Sequence, residues 1–181
     1  IGCGRMGQYY AHVYSEMPGT EIVAIAEYND DRRTAVGERF GVKALYRDVS
    51  SLLKDVVPDI AAIITPTKYY KEAVIGCAEA GVKAISCEKP MAVELSHADE
   101  MVKTCRERGI AFGCGTAYWE VPQLIETAQW IAEGQLGALQ RAAIPGGLPR
   151  ELSGAGCVQL TQMRLATGME VEWGEGWGLP P

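Results

Sequence analysis

The sequence predicts an α/β fold in which helices cover both faces of a parallel sheet, followed by a partial α+β domain. Two observations support this expectation. Up to residue 114, apolar segments of strand length alternate with helical segments, and the connections between them are short. The chain also opens, at residues 2–7, with the G-x-G-x-x-G spacing of a strand-to-helix turn. We therefore expect right-handed crossovers between parallel strands.

The opening turn Gly2-Cys3-Gly4-Arg5-Met6-Gly7 fits a dinucleotide-binding turn in a Rossmann-type doubly wound sheet. The first glycine permits a tight turn, the second lets the backbone approach a pyrophosphate, and the third lets the next helix pack closely. The N-terminus of that helix would face the phosphates with its N–H groups. A plain strand-to-helix turn is the competing interpretation. The expected cofactor-binding residues here are Gly2, Gly4, Arg5, Met6 and Gly7.

The run 21–27 is mostly apolar and ends in a carboxylate, about twenty residues after the turn, where a ribose-binding acid is expected. Glu27 at a strand's carboxyl end can accept hydrogen bonds from ribose hydroxyls and would repel a 2′-phosphate. We therefore expect NAD as the cofactor. NADP stays open as the alternative because Arg32 and Arg33 lie close by in sequence. A solvated acid at a strand end is the plainer interpretation of Glu27.

The remaining elements follow in order. Helices are predicted at 8–17, 32–40, 50–54, 69–80 and 96–108, and strands at 21–27, 42–45, 60–65, 82–87 and 110–113. Asp30 or Asp31 is expected to cap the second helix, and Ser96 with Asp99 to form a capping box. Beyond these, we expect helices at 122–133 and 158–166 and strand patterns at 139–144 and within 170–181. The domains would be 1–117 and 118–181.

Only Ile1 precedes the first glycine, whereas a dinucleotide fold needs a buried strand there, so we interpret the sequence as truncated at its start.

Composition argues against nucleic-acid-binding, membrane-spanning and metal-binding proteins. A net charge of −6 with scattered basic residues argues against nucleic acid, and no apolar run has the length of a membrane span. The six cysteines contain no C-x-x-C pair, so we expect reduced thiols, a cytoplasmic location and no metal site.

Four short stretches, taken together, resemble the Gfo/Idh/MocA family of NAD(P)-dependent oxidoreductases over residues 1–145. They are the opening turn, Ala26-Glu27, Ile64-Thr65-Pro66-Thr67 and Cys87-Glu88-Lys89-Pro90. The resemblance implies that Thr65 and Pro66 line the cofactor and that Tyr70 lies near the nicotinamide. It implies that Glu88 is an acid near the nicotinamide ribose. Lys89 would bind cofactor and act as the catalytic lysine, with Pro90 often cis.

The resemblance further implies hydride transfer between nicotinamide and a hydroxyl carbon of a sugar- or polyol-like substrate, by a homo-oligomer. The family's proton-transfer histidine is replaced here, because its Asp-x-x-x-His stretch aligns with Gly154 to Val158. Lys89, Tyr118 or a water are the candidates for general acid and base. The missing pair keeps a second hypothesis open: a dinucleotide-binding homologue or fragment without turnover. His12 and His97 are interpreted as packing or surface residues.

Overall fold

The computed structural model describes residues 1–115, 121–145, 147–148 and 152–174. The chain divides into two compact units, residues 1–115 and residues 116–181, which we describe separately. The assignment of domains 1–117 and 118–181 stays a prediction. In the described residues, no helix combines the length and the apolar character needed to cross a bilayer.

The first unit alternates strands and helices in the predicted order, which confirms the α/β fold class. Its strands are β1 (Ile25–Ala26), β2 (Leu45–Tyr46), β3 (Ile60–Ile63), β4 (Ala84–Cys87) and β5 (Ala111–Cys114). Its helices are α1 (Arg5–Glu16), α2 (Asp30–Phe40), α3 (Val49–Asp55), α4 (Tyr70–Ala80) and α5 (Leu95–Glu107), and a 3-10 turn at Thr67–Tyr69 leads into α4.

All strand pairs in this unit are parallel. β1 pairs with β2, and a second sheet has the order β3-β4-β5. The first two residues lie between the sheets. The Gly2 N–H donates to the Ala26 carbonyl at 2.8 Å, and the Ile64 N–H donates to the Ile1 carbonyl at 2.8 Å. These bonds place the opening turn at the carboxyl ends of both β1 and β3, where ligands bind in such sheets.

The larger core lies between the second sheet and helices α4 and α5, where Ile63, Val74, Cys77 and Met101 are completely buried. A smaller cluster joins Cys3 to β1 and α2. Burial on this scale holds the strands, and therefore the strand ends, in fixed register.

Several local expectations were wrong in detail. Asn29, and neither Asp30 nor Asp31, caps α2, because Asn29 has the extended backbone that a cap needs and its side chain accepts from the Arg32 N–H at 2.8 Å. Helix α5 begins after Glu94, so Ser96 lies in its first turn instead of capping it. The strands are shorter than expected, and residues 21–24 have no strand structure despite their apolar pattern.

The second unit contains α6 (Pro122–Ala132), a π-helical turn at Leu152–Gly156 and α7 (Cys157–Thr167), and α6 packs against α7. Both helices were predicted. Helix α7 ends at Gly168, which has the left-handed φ of 67°. The strand expected at 139–144 is absent, and residues 170–174 also lack strand structure. The rest of the pattern predicted within 170–181 lies outside the described residues.

Candidate dinucleotide site

The three glycines of the opening turn meet different constraints. A Cβ on Gly2, at φ 88°, would lie 2.6 Å from the Ile64 carbonyl oxygen. A Cβ on Gly7 would overlap the Gly2 carbonyl oxygen, so both positions must be glycine for the fold itself. A Cβ on Gly4, in contrast, would have no protein atom within 4 Å. The fold does not require a glycine there, but a ligand approaching the backbone would.

Helix α1 begins directly after Gly4, which is its N-cap and provides no side-chain cap. The N–H groups of the first turn therefore have no side-chain acceptor at the cap, and they carry the positive end of the helix dipole. Arg5 and Met6 occupy this turn and are exposed. This open helix end has the donor set that an anionic pyrophosphate requires. The residues present therefore fit a dinucleotide.

Glu27 follows β1 and turns its carboxylate toward the opening turn. Its Oε2 accepts the Cys3 N–H at 2.7 Å, and its Oε1 accepts the Asn29 N–H at 2.9 Å. Arg32 Nη1 lies 3.5 Å from Oε1, and Arg33 Nη1 donates to the Glu27 carbonyl at 2.8 Å. Glu27 is only 9% exposed. A carboxylate has about four acceptor positions, so Oε2, which has a single donor here, keeps capacity for a hydroxyl.

The electrostatics of Glu27 follow from these contacts. Burial by itself would raise the pKa of the carboxyl group. The backbone N–H groups of Asn29 and Cys3, together with Arg32, outweigh burial and hold the pKa of Glu27 below its ordinary value. The carboxylate is therefore charged at neutral pH, which suits its predicted role as an acceptor of ribose hydroxyls.

Thr65 and Pro66 follow β3 and lie beside the turn. A Cβ on Gly2 would come within 3.0 Å of the Thr65 backbone nitrogen, which shows how closely the two segments approach. Pro66 is exposed and Thr65 is half-buried. Both are therefore within the group of residues that the fold gathers at the carboxyl ends of β1 and β3.

Glu88 and Lys89 follow β4, and Tyr10 of α1 reaches them. The Tyr10 hydroxyl donates to Glu88 Oε1 at 2.7 Å. The backbone N–H of Lys89 donates to Glu88 Oε2 at 3.2 Å, and the Lys89–Pro90 peptide is cis, as the resemblance implies. Glu88, Lys89 and Pro90 are all half-buried. The end of β4 is thus connected to the same helix that begins at the opening turn.

Tyr70 differs from the other predicted site residues, because its side chain is 2% exposed and belongs to the core. Burial raises the pKa of its hydroxyl, with smaller contributions from Cys87, Glu88 and Cys114. Such burial leaves little surface for a ligand, so a cofactor contact of Tyr70 stays a prediction.

The second unit holds the positions of the missing proton-transfer pair. Gly154 lies in the π-helical turn and Val158 in the first turn of α7. The side-chain oxygen of the adjacent Gln159 is buried without a hydrogen-bond partner in the described part of the chain. Tyr118 lies outside the described residues. In those that are described, no group of three or more acidic, cysteine or histidine side chains is arranged to hold a metal ion.

Sequence reasoning missed Tyr10 and Asn29. Asn29 had a detectable signal, because asparagine is a strong capping residue and directly precedes the two aspartates considered. Tyr10 had no such signal in the sequence, since its partner Glu88 is 78 residues away. His12 is exposed, and His97 lies on the first turn of α5 with its Nε2 3.8 Å from Glu94.

The fold and the arrangement at the strand ends define a Rossmann-type dinucleotide-binding protein. Residues 1–116 match the model of the oxidoreductase family with an NAD-binding Rossmann fold, named GFO_IDH_MocA. The chain belongs to this family, which confirms the resemblance and makes residues 1–116 its NAD-binding region.

Individual relatives agree with this assignment. A D-apiose dehydrogenase from Paraburkholderia graminis is 31% identical over 76% of this chain and 36% of its own length. A myo-inositol 2-dehydrogenase from Thermotoga maritima is 30% identical over 64% of this chain and 34% of its own length. The structure of an Agrobacterium radiobacter oxidoreductase in complex with NAD+, L-tartaric acid and magnesium is 28% identical, with a TM-score of 0.68, over 76% of this chain and 40% of that one. The chain therefore spans about a third to two fifths of these relatives.

Proposed function

We propose that this chain provides the cofactor-binding region and the catalytic lysine of an NAD-dependent oxidoreductase acting on a sugar- or polyol-like substrate. One observation supports this most strongly: three strand ends, bearing Glu27, Thr65 and Glu88, converge on the opening turn and its helix. The names of the relatives, a D-apiose and a myo-inositol dehydrogenase, support the substrate class.

In this proposal each strand end holds one part of the cofactor. The N–H groups after Gly4 bind the pyrophosphate, Glu27 accepts the adenosine ribose hydroxyls, and Thr65 with Pro66 lines the path between the two nucleosides. Glu88 lies at the nicotinamide ribose. NAD is favoured over NADP because Glu27 is held charged by backbone donors, and a 2′-phosphate would be repelled by it.

Lys89 holds the substrate hydroxyl and stabilises the negative charge that develops on its oxygen as hydride leaves the carbon. When bound, NAD accepts the hydride. The hydroxyl proton must pass to a base. Tyr118 and a water are the candidates when Lys89 is an ammonium, and Lys89 itself is a candidate when its amine is neutral.

The glycines give a direct test of cofactor binding. We expect Gly4→Ala to fold normally and to weaken NADH binding by about tenfold or more, because the added methyl group would contact the ligand and not the rest of the protein. Gly7→Ala should instead lower the free energy of unfolding by about 3 kcal/mol. Gly76→Ala in α4, where a Cβ meets only Leu53 at 3.8 Å, is the matched control for adding a methyl group to a helix. Fluorescence titration with NADH and thermal unfolding separate these outcomes, and normal NADH binding by Gly4→Ala would contradict the proposal.

The competing function is dinucleotide binding without turnover, which is favoured by Gly154 and Val158, since neither side chain transfers protons. A screen of sugars and polyols with NAD, following absorbance of the reduced cofactor, decides between the two. Turnover of any of them supports the enzyme. NADH binding without turnover in the whole panel supports the binding protein.

We also propose a homo-oligomer in the cytoplasm. Exposed apolar side chains of the second unit, Val171 and the 78% exposed Trp173, support self-association. Cys87 and Cys114 lie in register on neighbouring strands, and both are free thiols. Neighbouring thiols that are not joined in a disulfide support a reducing compartment. A molar mass of one chain by light scattering at micromolar concentration would contradict the oligomer.

A further inference from the structure

Tyr10 and Glu88 form a contact in which the proposed function assigns no role to Tyr10. The Tyr10 hydroxyl of α1 donates to Glu88 Oε1 at 2.7 Å, in a partly buried position. The helix that begins at the opening turn is thereby bonded to the segment after β4 that carries Lys89. Glu88 is one of the predicted site residues, but Tyr10, which lies one turn beyond Gly7, is not.

The backbone of Glu88 is fixed independently of Tyr10. Its N–H donates to the Ile63 carbonyl of β3 at 3.1 Å, and its carbonyl accepts from Cys114 Sγ of β5 at 3.6 Å. Among the residues that the structure describes, two donors reach its side chain: Tyr10 on Oε1 and the Lys89 N–H on Oε2. The orientation of the Glu88 carboxylate therefore depends on Tyr10, whereas the position of the Glu88 backbone does not.

Tyr10 is well suited to be a permanent donor. Burial raises the pKa of its hydroxyl, and the hydrogen bond to Glu88 raises it further. The phenol therefore stays protonated from acidic to strongly alkaline pH. Its ring packs edge-on against Tyr9, with 6.3 Å between centroids, and lies at the same distance from Tyr14, which limits its movement.

We propose that Tyr10 is a positioning residue, which orients the Glu88 carboxylate, and through it the Lys89 backbone, to receive the nicotinamide ribose. The inference rests on the proposed function, and it assigns to α1 a second role besides phosphate binding. Tyr10 acts through Glu88 and does not itself contact the reacting atoms.

The test is a double-mutant cycle read by NADH fluorescence titration of the full chain. Tyr10→Phe removes only the hydroxyl and should weaken NADH binding about tenfold, the scale of one hydrogen bond to a charged group. Glu88→Ala removes the acceptor and should weaken it by a similar or larger factor. Because Tyr10 acts through Glu88, the double variant should bind NADH no more weakly than Glu88→Ala alone. Tyr9→Phe, on the same helix but 60% exposed, is the control and should bind like the parent chain.

The outcomes are distinguishable. If the parent chain does not bind NADH, the proposed function fails and this inference fails with it. If the parent chain binds NADH and Tyr10→Phe binds equally well, the inference is overturned and the proposed function survives. Effects that multiply in the double variant overturn it too, because they would mean that Tyr10 acts on stability or packing and not through Glu88. Thermal unfolding of each variant shows whether the fold is retained.

Discussion

The ends of β1 and β4 each place a carboxylate beside the opening helix, but they hold it differently. Glu27, after β1, is nearly buried, and backbone N–H groups of Cys3 and Asn29 hold both of its oxygens. Glu88, after β4, is half-buried and depends on a distant tyrosine hydroxyl and on the N–H of its own neighbour Lys89. Nearby backbone N–H groups therefore hold the Glu27 carboxylate, whereas the Glu88 carboxylate depends on a side chain as well as on one backbone N–H.

The difference matches the two tasks that we propose for these carboxylates. A group that recognises a ribose needs a constant charge in a constant place, and backbone donors supply this at Glu27 because no side-chain change can remove them. A group next to a reacting lysine needs an orientation that can be set by the surrounding site. The comparison therefore predicts that Glu27 variants change cofactor affinity and stability. Variants of Tyr10 and Glu88 should change cofactor affinity, and the Lys89 variant should change turnover most.

The largest effect is expected for Lys89→Ala. Loss of the ammonium that stabilises the developing oxyanion should lower kcat about 1000-fold, while NADH affinity changes little. Steady-state kinetics with a substrate found in the polyol screen, together with NADH titration, measures both. Lys103→Ala, which breaks an exposed ion pair with Glu107 at the C-terminal end of α5, is the control. Turnover that survives intact would show that the role assigned to Lys89 is wrong.

Thiol chemistry should also differ between the two ends. Cys3 beside Glu27 is buried, and burial raises the pKa of its thiol, whereas Cys114 beside Glu88 is half-buried. Since the thiolate is the nucleophile and the reagent must reach it, Cys114 should react with iodoacetamide about 100-fold faster than Cys3. Buried Cys77, with its pKa raised by burial to about 11, should react as slowly as Cys3.

Peptide mapping by mass spectrometry over a time course measures these rates. Equal rates at Cys3 and Cys114 would show that the two strand ends do not differ in this respect.

Glu27→Gln should weaken NADH binding about tenfold and lower the free energy of unfolding at pH 7 by about 2 kcal/mol, the scale of hydrogen bonds to a charged group. The pKa of Glu27 is lowered by folding, so its contribution is complete above its ordinary value of 4.5 and is lost as pH falls through the folded value. Denaturant unfolding from pH 7 to pH 3 should therefore show the difference between parent and variant shrinking below pH 4.5. A difference that grows toward acid pH would contradict this account.

The β1 end was predicted from sequence and the bond at the β4 end was not, for a physical reason. The spacing from the opening turn to Glu27 is short and is dictated by one strand and one helix, so a motif captures it. The Tyr10–Glu88 bond joins residues 78 positions apart, and no local pattern reports it. Lys89 was found only because the Glu-Lys-Pro stretch is specific to a family.

Element order was predictable and element bounds were less so. Gly41 and Gly81 ended helices as expected, because both adopt the left-handed conformation that glycine permits, at φ 68° and 92°. The apolar pattern alone predicted longer and more numerous strands than the structure has, because a strand also needs a neighbouring strand with which to pair. Residues 21–24 and 139–144 have the pattern but no ladder. The cap of α2 depended on backbone angles at Asn29, which composition does not specify.

The smallest effect is expected for Arg32→Ala, which removes the one side-chain hydrogen bond to the Glu27 carboxylate among the described residues. Arg32 is 47% exposed and its Nη1 lies 3.5 Å from Oε1, so the pair should contribute less than about 1 kcal/mol to the free energy of unfolding. The backbone donors of Cys3 and Asn29 remain, and the pKa of Glu27 should stay below its ordinary value. Lys83→Ala, which breaks the exposed pair with Asp59, is the control and should cost a similar amount. Denaturant unfolding measures both variants, and a cost for Arg32→Ala equal to that of Glu27→Gln would mean that the guanidinium, and not the backbone, holds this carboxylate.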